Sequence, residues 1–407
     1  MFSAFRWHGP DDQWLLCRIP RMARAYFNDR REDLLTGETA QDGLALLQAR
    51  LQEDKLDHDR QQPTVWHFFY EFGQALVGGP GAVGAGALLA LELEYADARM
   101  VGREHWGTPL EGEWELQEEV PFETYQERFE RGYGQLLAGN CYQFNLTFPS
   151  CYDFRGHGLS ARGLLAALWS DPRRTAPYAH ATHIPAWDTL WASNSPECLF
   201  ESWPVAGGRR VRSLPIKGTV QLAPGESDQE GWSRLKSSKK DQAELYMIAD
   251  LVRNDLCALG SPRARVVRKK APLLAPGLVH QYSLVSTLAP EGLSMAGLVG
   301  ALFPGGSVTG APKKRTMAIL KELEEGERGL YCGSTVLLWG TGAWGSINIR
   351  TAKVDMIARS IDYRAGGGVT LLSSAESEWE ELRAKRESFM NLLKSSGTTL
   401  DKHLKSP

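Results

Sequence analysis

The chain has 407 residues, 43% of them apolar, and a formal net charge of −3, which suits one large or two ordinary globular domains with a sizeable core. The slightly acidic balance excludes a nucleic-acid binder held by phosphate contacts, which would be basic. Six cysteines without CxxC or CxxxC spacing exclude a zinc or disulfide framework and read as reduced thiols of a cytosolic protein.

The first eight residues lack a basic-then-apolar signal pattern, and the small-residue stretch 77–91 is too short and glycine-rich to cross a membrane. Leu44, Leu47 and Leu51 recur three and four residues apart and predict helix within 33–51. Residues 65–72 predict a strand. Residues 78–86 form a glycine-rich bend without the spacing of a dinucleotide fingerprint. A strand follows at 91–95. The acidic run 111–120 marks the junction between an N-terminal region, 1–115, and a second region, 116–398; a tail, 399–407, is expected to fray.

Past the junction the pattern turns helical, with Phe122, Tyr125, Phe129, Tyr133 and Leu136 on one face. Gly139 and Asn140 close that helix. Residues 141–147 alternate as a strand, 158–170 predict a helix, and 189–200 and 210–214 predict strands.

The residues that suggest chemistry come next. Lys217, in Pro-Ile-Lys-Gly-Thr, ends a predicted strand. Most lysines are solvated surface charges, but one in a tight apolar turn loses hydration and becomes a nucleophile or base. Thr219 would hydrogen-bond a neighbouring hydroxyl. Residues 241–255 form a strong helix with Asp241 and Glu244 on one face; Glu378 and Glu381 share a face at the start of another. Such carboxylates are either solvated faces or a site for magnesium, a hard cation that keeps several waters.

The stretch Phe-Pro-Gly-Gly-Ser-Val-Thr-Gly-Ala-Pro-Lys, 303–313, runs two glycines and small hydroxyls into a helix. Its residues Thr309, Gly310 and Ala311 let backbone approach a ligand, and a helix start favours an anion. Gly366 and Gly368 offer a second close approach, or a simple turn between strands. Residues 346–351 alternate as a strand, from which Arg350 would either clamp a carboxylate or make a structural pair.

These segments, in this order, resemble the chorismate-utilising enzymes, with five specific stretches at 141–147, 215–219, 244–255, 304–313 and 366–381. The resemblance implies an α/β (α+β) fold, a single large body of two antiparallel β-sheets packed face to face with helices outside. It implies chorismate as substrate and a magnesium ion held by Glu244 and Glu381, with Asp241 and Glu378 close by. It further implies Tyr331 and Arg350 at the enolpyruvyl carboxylate, and Thr309, Gly310, Ala311, Gly366, Gly368 and Lys385 at other parts of the substrate.

Within the family, a lysine in Pro-Ile-Lys-Gly-Thr resembles the aminodeoxychorismate synthases, whose component I makes 4-amino-4-deoxychorismate for 4-aminobenzoate and folate. Lys217 would then attack ring C2, and Glu197, in Ser-Pro-Glu, would be the general acid and base. Gln143 stands where water-adding relatives carry a lysine. No glutaminase motif is present, so a separate glutaminase subunit is expected to supply ammonia. The alternatives are anthranilate synthase component I and a catalytically silent subunit of the same fold. Two departures stand out: Ser283 replaces a family histidine, with His280 three residues earlier, and Leu371-Leu372-Ser373 replaces Ala-Asp-Ser.

Overall fold

The computed structural model describes residues 1–8, 12–223, 225–260, 264–275 and 278–394. The tail expected to fray lies outside them.

The long strand Asp12–Phe27 is the hub. Its N-terminal half pairs with Phe2–His8 on one edge, and nearly its whole length pairs with Leu88–Gly102 on the other, both antiparallel. From Phe2–His8 one sheet continues through Tyr178–Ile184, Thr189–Ser195, Thr351–Asp355, Ser360–Val369 and Gln143–Gly156 to Gly112–Glu119. From Leu88–Gly102 the second sheet continues through Arg60–Phe68, Ser334–Gly340, Gly342–Ile347, Cys198–Val205 and Gly208–Leu214 to Leu278–Ala289. That last strand also carries Ile216–Gln221 and Arg265–Ala275. The N-terminal region and the region after residue 116 therefore interleave strand by strand in one body.

The sheets pack face to face, as expected. Buried His67 of the second sheet reaches Thr182 Oγ1 of the first at 2.9 Å through Nε2, and Thr335 Oγ1 of its own sheet at 2.9 Å through Nδ1. Burial pushes its imidazole well below its usual range, so it stays neutral there. Around it, Trp7 of the first sheet meets Trp344 of the second edge-on at 5.3 Å, and Phe69 meets Trp191 at 5.7 Å. Each such ring contributes about 1.5–3 kcal/mol on burial.

Helices cover the outside. In Phe122–Leu137 the spacing of three and four buries Tyr125, Phe129 and Leu136. Tyr125 and Phe122 pack on Trp379 of the helix Ala375–Met390, at 5.1 and 5.9 Å. Ser374 caps that helix by accepting from Ser377 N, and Ser238 caps Lys239–Cys257 by accepting from Asp241 N. Each cap is worth about 1 kcal/mol and sets where the first-turn carboxylates project.

Several expectations need correction. The strand predicted over 189–200 ends at Ser195, and Cys198–Val205 is a second strand in the other sheet. The strand predicted over 65–72 ends at Phe68, and Tyr70–Gly78 is a helix. Its Gly73 abuts Pro304, where an added Cβ would lie 2.7 Å from Cδ; an apolar run of that length does not itself distinguish strand from helix. The acidic run 111–120 is the strand Gly112–Glu119, paired with Gln143–Gly156, and its charges are those that keep an exposed strand from pairing further. Residues 346–351 are not one strand: Gly342–Ile347 stops, Arg350 takes φ 49°, and Thr351–Asp355 begins. The chain leaves the second sheet for the first at this point, so it must bend. Gly366 and Gly368 lie inside the strand Ser360–Val369, opposite Thr147 and Asn145, and not in a turn.

Candidate active site

Two crossings between the sheets lie side by side. Thr189–Ser195 belongs to the first sheet and Cys198–Val205 to the second, so Glu197 sits where that chain changes layer. Arg350 sits at the other crossing. Ile347 N donates to Glu197 O at 3.0 Å, and Asn194 N donates to Arg350 O at 3.0 Å, which ties the crossings together. The candidate site is built around them.

Lys217 is aimed by a bulge. Ile216 opposes Tyr282 and Thr219 opposes His280, so one extra residue is accommodated between them. Gly218 takes φ 80°, a conformation that suits glycine, and a Cβ there would lie 3.0 Å from both Asp241 Cβ and Gln281 Nε2. Across the site, a Cβ on Gly368 would lie 2.5 Å from Gln143 Nε2 and 3.6 Å from Lys217 Nζ. The lysine therefore faces the bare backbone of the first sheet. Thr219 Oγ1 lies 2.7 Å from His280 Nδ1. Burial, with the charge of Arg350, pushes that imidazole down to about 4, so it is a neutral hydrogen-bond partner at pH 7. Ser283, at the family histidine's place, spends its hydroxyl on the Lys269 carbonyl.

Glu197 is buried. Desolvation raises its carboxyl above the ordinary range, opposed by Ser307 beside it and by the charges of Lys217 and Lys385. Its Oε1 and the Ser307 Oγ are both buried, yet neither completes a hydrogen bond. Lys385 Nζ donates to Gly366 O at 2.8 Å and pairs with Glu381 Oε1 at 2.6 Å. Glu378 Oε1 accepts from Ser373 Oγ at 2.7 Å, and its Oε2 would lie 2.7 Å from a Cβ on Gly367. Gly310, at φ 139°, and Ala311 pair with Phe144 and Gln143 of the strand Gln143–Gly156. Thr309 is buried and donates to Gly305 O at 3.0 Å. Tyr331 is buried, which raises its phenol well above its usual range.

Glu244 follows Asp241 by one turn on the helix Lys239–Cys257, and both are half-buried. Among the described residues no three acidic, histidine or cysteine side chains cluster tightly enough to hold a metal by themselves. The acidic pairs stand on two helices, Asp241 packed against Gly218 and Glu378 against Gly367. All four are hard oxygen donors. That fits magnesium, which keeps waters and takes further oxygens from substrate.

Some structural contributors were not foreseen. Arg328, buried, donates to Val308 O at 2.8 Å, Asn145 O at 2.7 Å and Glu324 Oε1 at 2.7 Å. It locks the 303–313 stretch to the strand Gln143–Gly156. Lys313 points away from the cleft, to Asp255 Oδ2 at 3.2 Å.

Fold and site together define a two-sheet α/β protein with a polar, cation-lined cleft at the seam of its sheets. The sequence pattern of the chorismate binding enzymes matches residues 92–391, and the chain belongs to that family. It is 34% identical over 279 residues to aminodeoxychorismate synthase component 1 of Escherichia coli, covering 67% of this chain and 57% of that protein. It is 34% identical over 276 residues to the protein of the same name from Klebsiella aerogenes, covering 67% and 58%. The match thus spans little more than half of those relatives. Anthranilate synthase component I from Streptococcus pneumoniae shares the fold, with TM-score 0.76 at 19% identity over 94% of this chain and 93% of that one. No helix among the described residues is long and apolar enough to cross a membrane.

Proposed function

We propose that the chain aminates chorismate to 4-amino-4-deoxychorismate, with ammonia from a separate glutaminase subunit. The observation that carries this reading is Lys217 on its bulge, facing Gly368 with the buried carboxyl of Glu197 beside it. The two relatives named aminodeoxychorismate synthase component 1 support it.

In this reading the Lys217 amine forms a bond to ring C2. The ring double bonds shift, and the C4–O bond breaks as Glu197 gives its proton to the leaving hydroxyl, releasing water. Ammonia then bonds to C4, the C2–N bond breaks, and Lys217 leaves as the free amine. The double bonds return to their original places. A raised carboxyl suits the acid that this sequence needs. Arg350 and Tyr331 would hold the enolpyruvyl carboxylate, Lys385 would make a further substrate contact, and Thr309, Gly310, Ala311, Gly366 and Gly368 would present backbone and small side chains to the ring. Asp241, Glu244, Glu378 and Glu381 would hold magnesium, which supplies charge neutralisation for the ring carboxylate. Thr219 would fix the strand beside Lys217 through His280.

The test is turnover of chorismate with magnesium and ammonium salt, products read by mass spectrometry, beside Lys217→Ala. Aminodeoxychorismate from the wild type, lost in the variant, is the expected result. Fluorescent anthranilate would move the chain to the sister activity, and unchanged chorismate, also with a glutaminase added, would overturn the enzymatic reading.

A further inference from the structure

A small cavity lies against Glu197, and nothing in the reaction above uses it. It measures about 10 Å³ as room for the centre of a water-sized molecule, enough for one such molecule. Glu197, Ser307, Asp255 and Ser213 are its polar walls, the last donating to Cys198 O; Leu199, Val252 and Leu302 are among its apolar ones. Two of its polar atoms, Glu197 Oε1 and Ser307 Oγ, are buried without a hydrogen bond of good geometry, although Ser307 lies close enough to Glu197 to favour its carboxylate. Leaving such atoms unpaired costs about 1–3 kcal/mol each, so the cavity is built to hold a small hydrogen-bonding molecule.

We infer that this cavity is the seat for ammonium, held by the carboxylate of Asp255, a carboxyl oxygen of Glu197 and the hydroxyl of Ser307. The inference rests on the amination reading and adds where the nitrogen waits. A cation of four N–H donors matches a wall of carboxylate and hydroxyl oxygens. Water has only two donors for the same acceptors. The apolar remainder of the wall excludes anything larger. Lys313, paired with Asp255, leaves that carboxylate anchored without closing the cavity.

The seat also completes the proton account. Once Glu197 has protonated the departing C4 hydroxyl, it is a carboxylate. Ammonium returns one proton to it and becomes ammonia. The ammonia lone pair forms the C4–N bond while the C2–N bond to Lys217 breaks, and the new amine emerges as its ammonium form. No oxidant or further reactant is needed.

The experiment is steady-state amination at saturating chorismate with ammonium varied, for the wild type, Ser307→Ala and Asp255→Asn. Melting curves check that each variant folds. The seat predicts an ammonium KM raised about tenfold or more in both variants, with the chorismate KM within about twofold, the effect of losing one bond to a charged group. An unchanged ammonium KM in a folded Ser307→Ala would overturn it and leave a cavity for water alone. Methylamine gives a second arm. The wild type should not use it, and Leu302→Ala, which widens the wall, should; equal use by both would also overturn the seat. Absence of aminated product from the wild type at any ammonium concentration would instead overturn the amination reading itself.

Discussion

Lys217 and Gly368 face each other across the seam of the two sheets, so close that a methyl group on the glycine would lie 3.6 Å from the lysine nitrogen. On the proposed function the substrate ring would enter beside this pair, because Gly368 leaves bare backbone where other residues would fill space. In Gly368→Ala the new Cβ falls 2.5 Å from Gln143 Nε2, the movable end of a side chain. Stability should therefore change little, within about 1 kcal/mol, while the displaced amide crowds the ring. We expect a fall of tenfold or more in kcat/KM, roughly 1.4 kcal/mol, with the melting temperature nearly kept. A parallel collapse of both would show that the glycine serves only packing.

Glu197 predicts a pH limb. Burial raises its carboxyl, and the proposed reaction needs it protonated, so kcat should decline as pH rises through that raised value. Glu197→Gln should lose about 10²–10⁴-fold in kcat and abolish the limb. A limb that survives in the variant would assign it to another group.

Magnesium should bind weakly to the free protein and tightly only with substrate, since the carboxylates stand in two pairs and not in a ready cluster. Thermal shift would read this without turnover. Chorismate and magnesium together should raise the melting temperature, and either alone should do so far less. Glu378→Gln should remove the joint effect. A full shift from magnesium alone would contradict the shared site.

Glu71 carries a stability prediction. Its carboxyl is raised from 4.5 to about 7 by burial, although its Oε1 accepts from Arg328 N at 2.9 Å. The folded state keeps the proton that the unfolded chain releases, so this contribution is complete below pH 4.5 and is lost as pH rises through 7. The difference corresponds to about 3 kcal/mol. Urea melts across that window should show falling stability, and Glu71→Gln should flatten the slope; an equal slope in both would refute the assignment.

Arg328→Ala should cost about 3–5 kcal/mol, because Glu324 is left as a buried charge without its partner. Calorimetry would read the loss, and a change under about 1 kcal/mol would mean that water reaches Glu324.

The five specific stretches were legible because each joins residue types that serve chemistry poorly tolerant of substitution. The two-sheet body followed from the resemblance they carry, and the helices at 122–137 and 239–257 from periodicity alone. What stayed hidden depends on distant parts of the chain meeting. Arg328 sits in a charged loop and reads as solvated until Val308 and Asn145 arrive around it. The strand expected through Arg350 breaks because it must change sheets, which no local alternation announces. Ser307 was visible only as one small residue among several. Leu371 and Leu372 lie exposed beyond the glycine strand, and nothing in the structure explains their replacing Ala-Asp.

The seam has a bearing on quality control. Glu197 and Arg350 each occupy a bend that exists only when both sheets have formed and docked. A half-assembled chain that forms only the second sheet can therefore present Lys217 on the strand Ile216–Gln221 but not the acid and the guanidinium opposite it. On the proposed reaction such a chain would be inert, and the Lys217 amine would meet no acid before the body around it is finished.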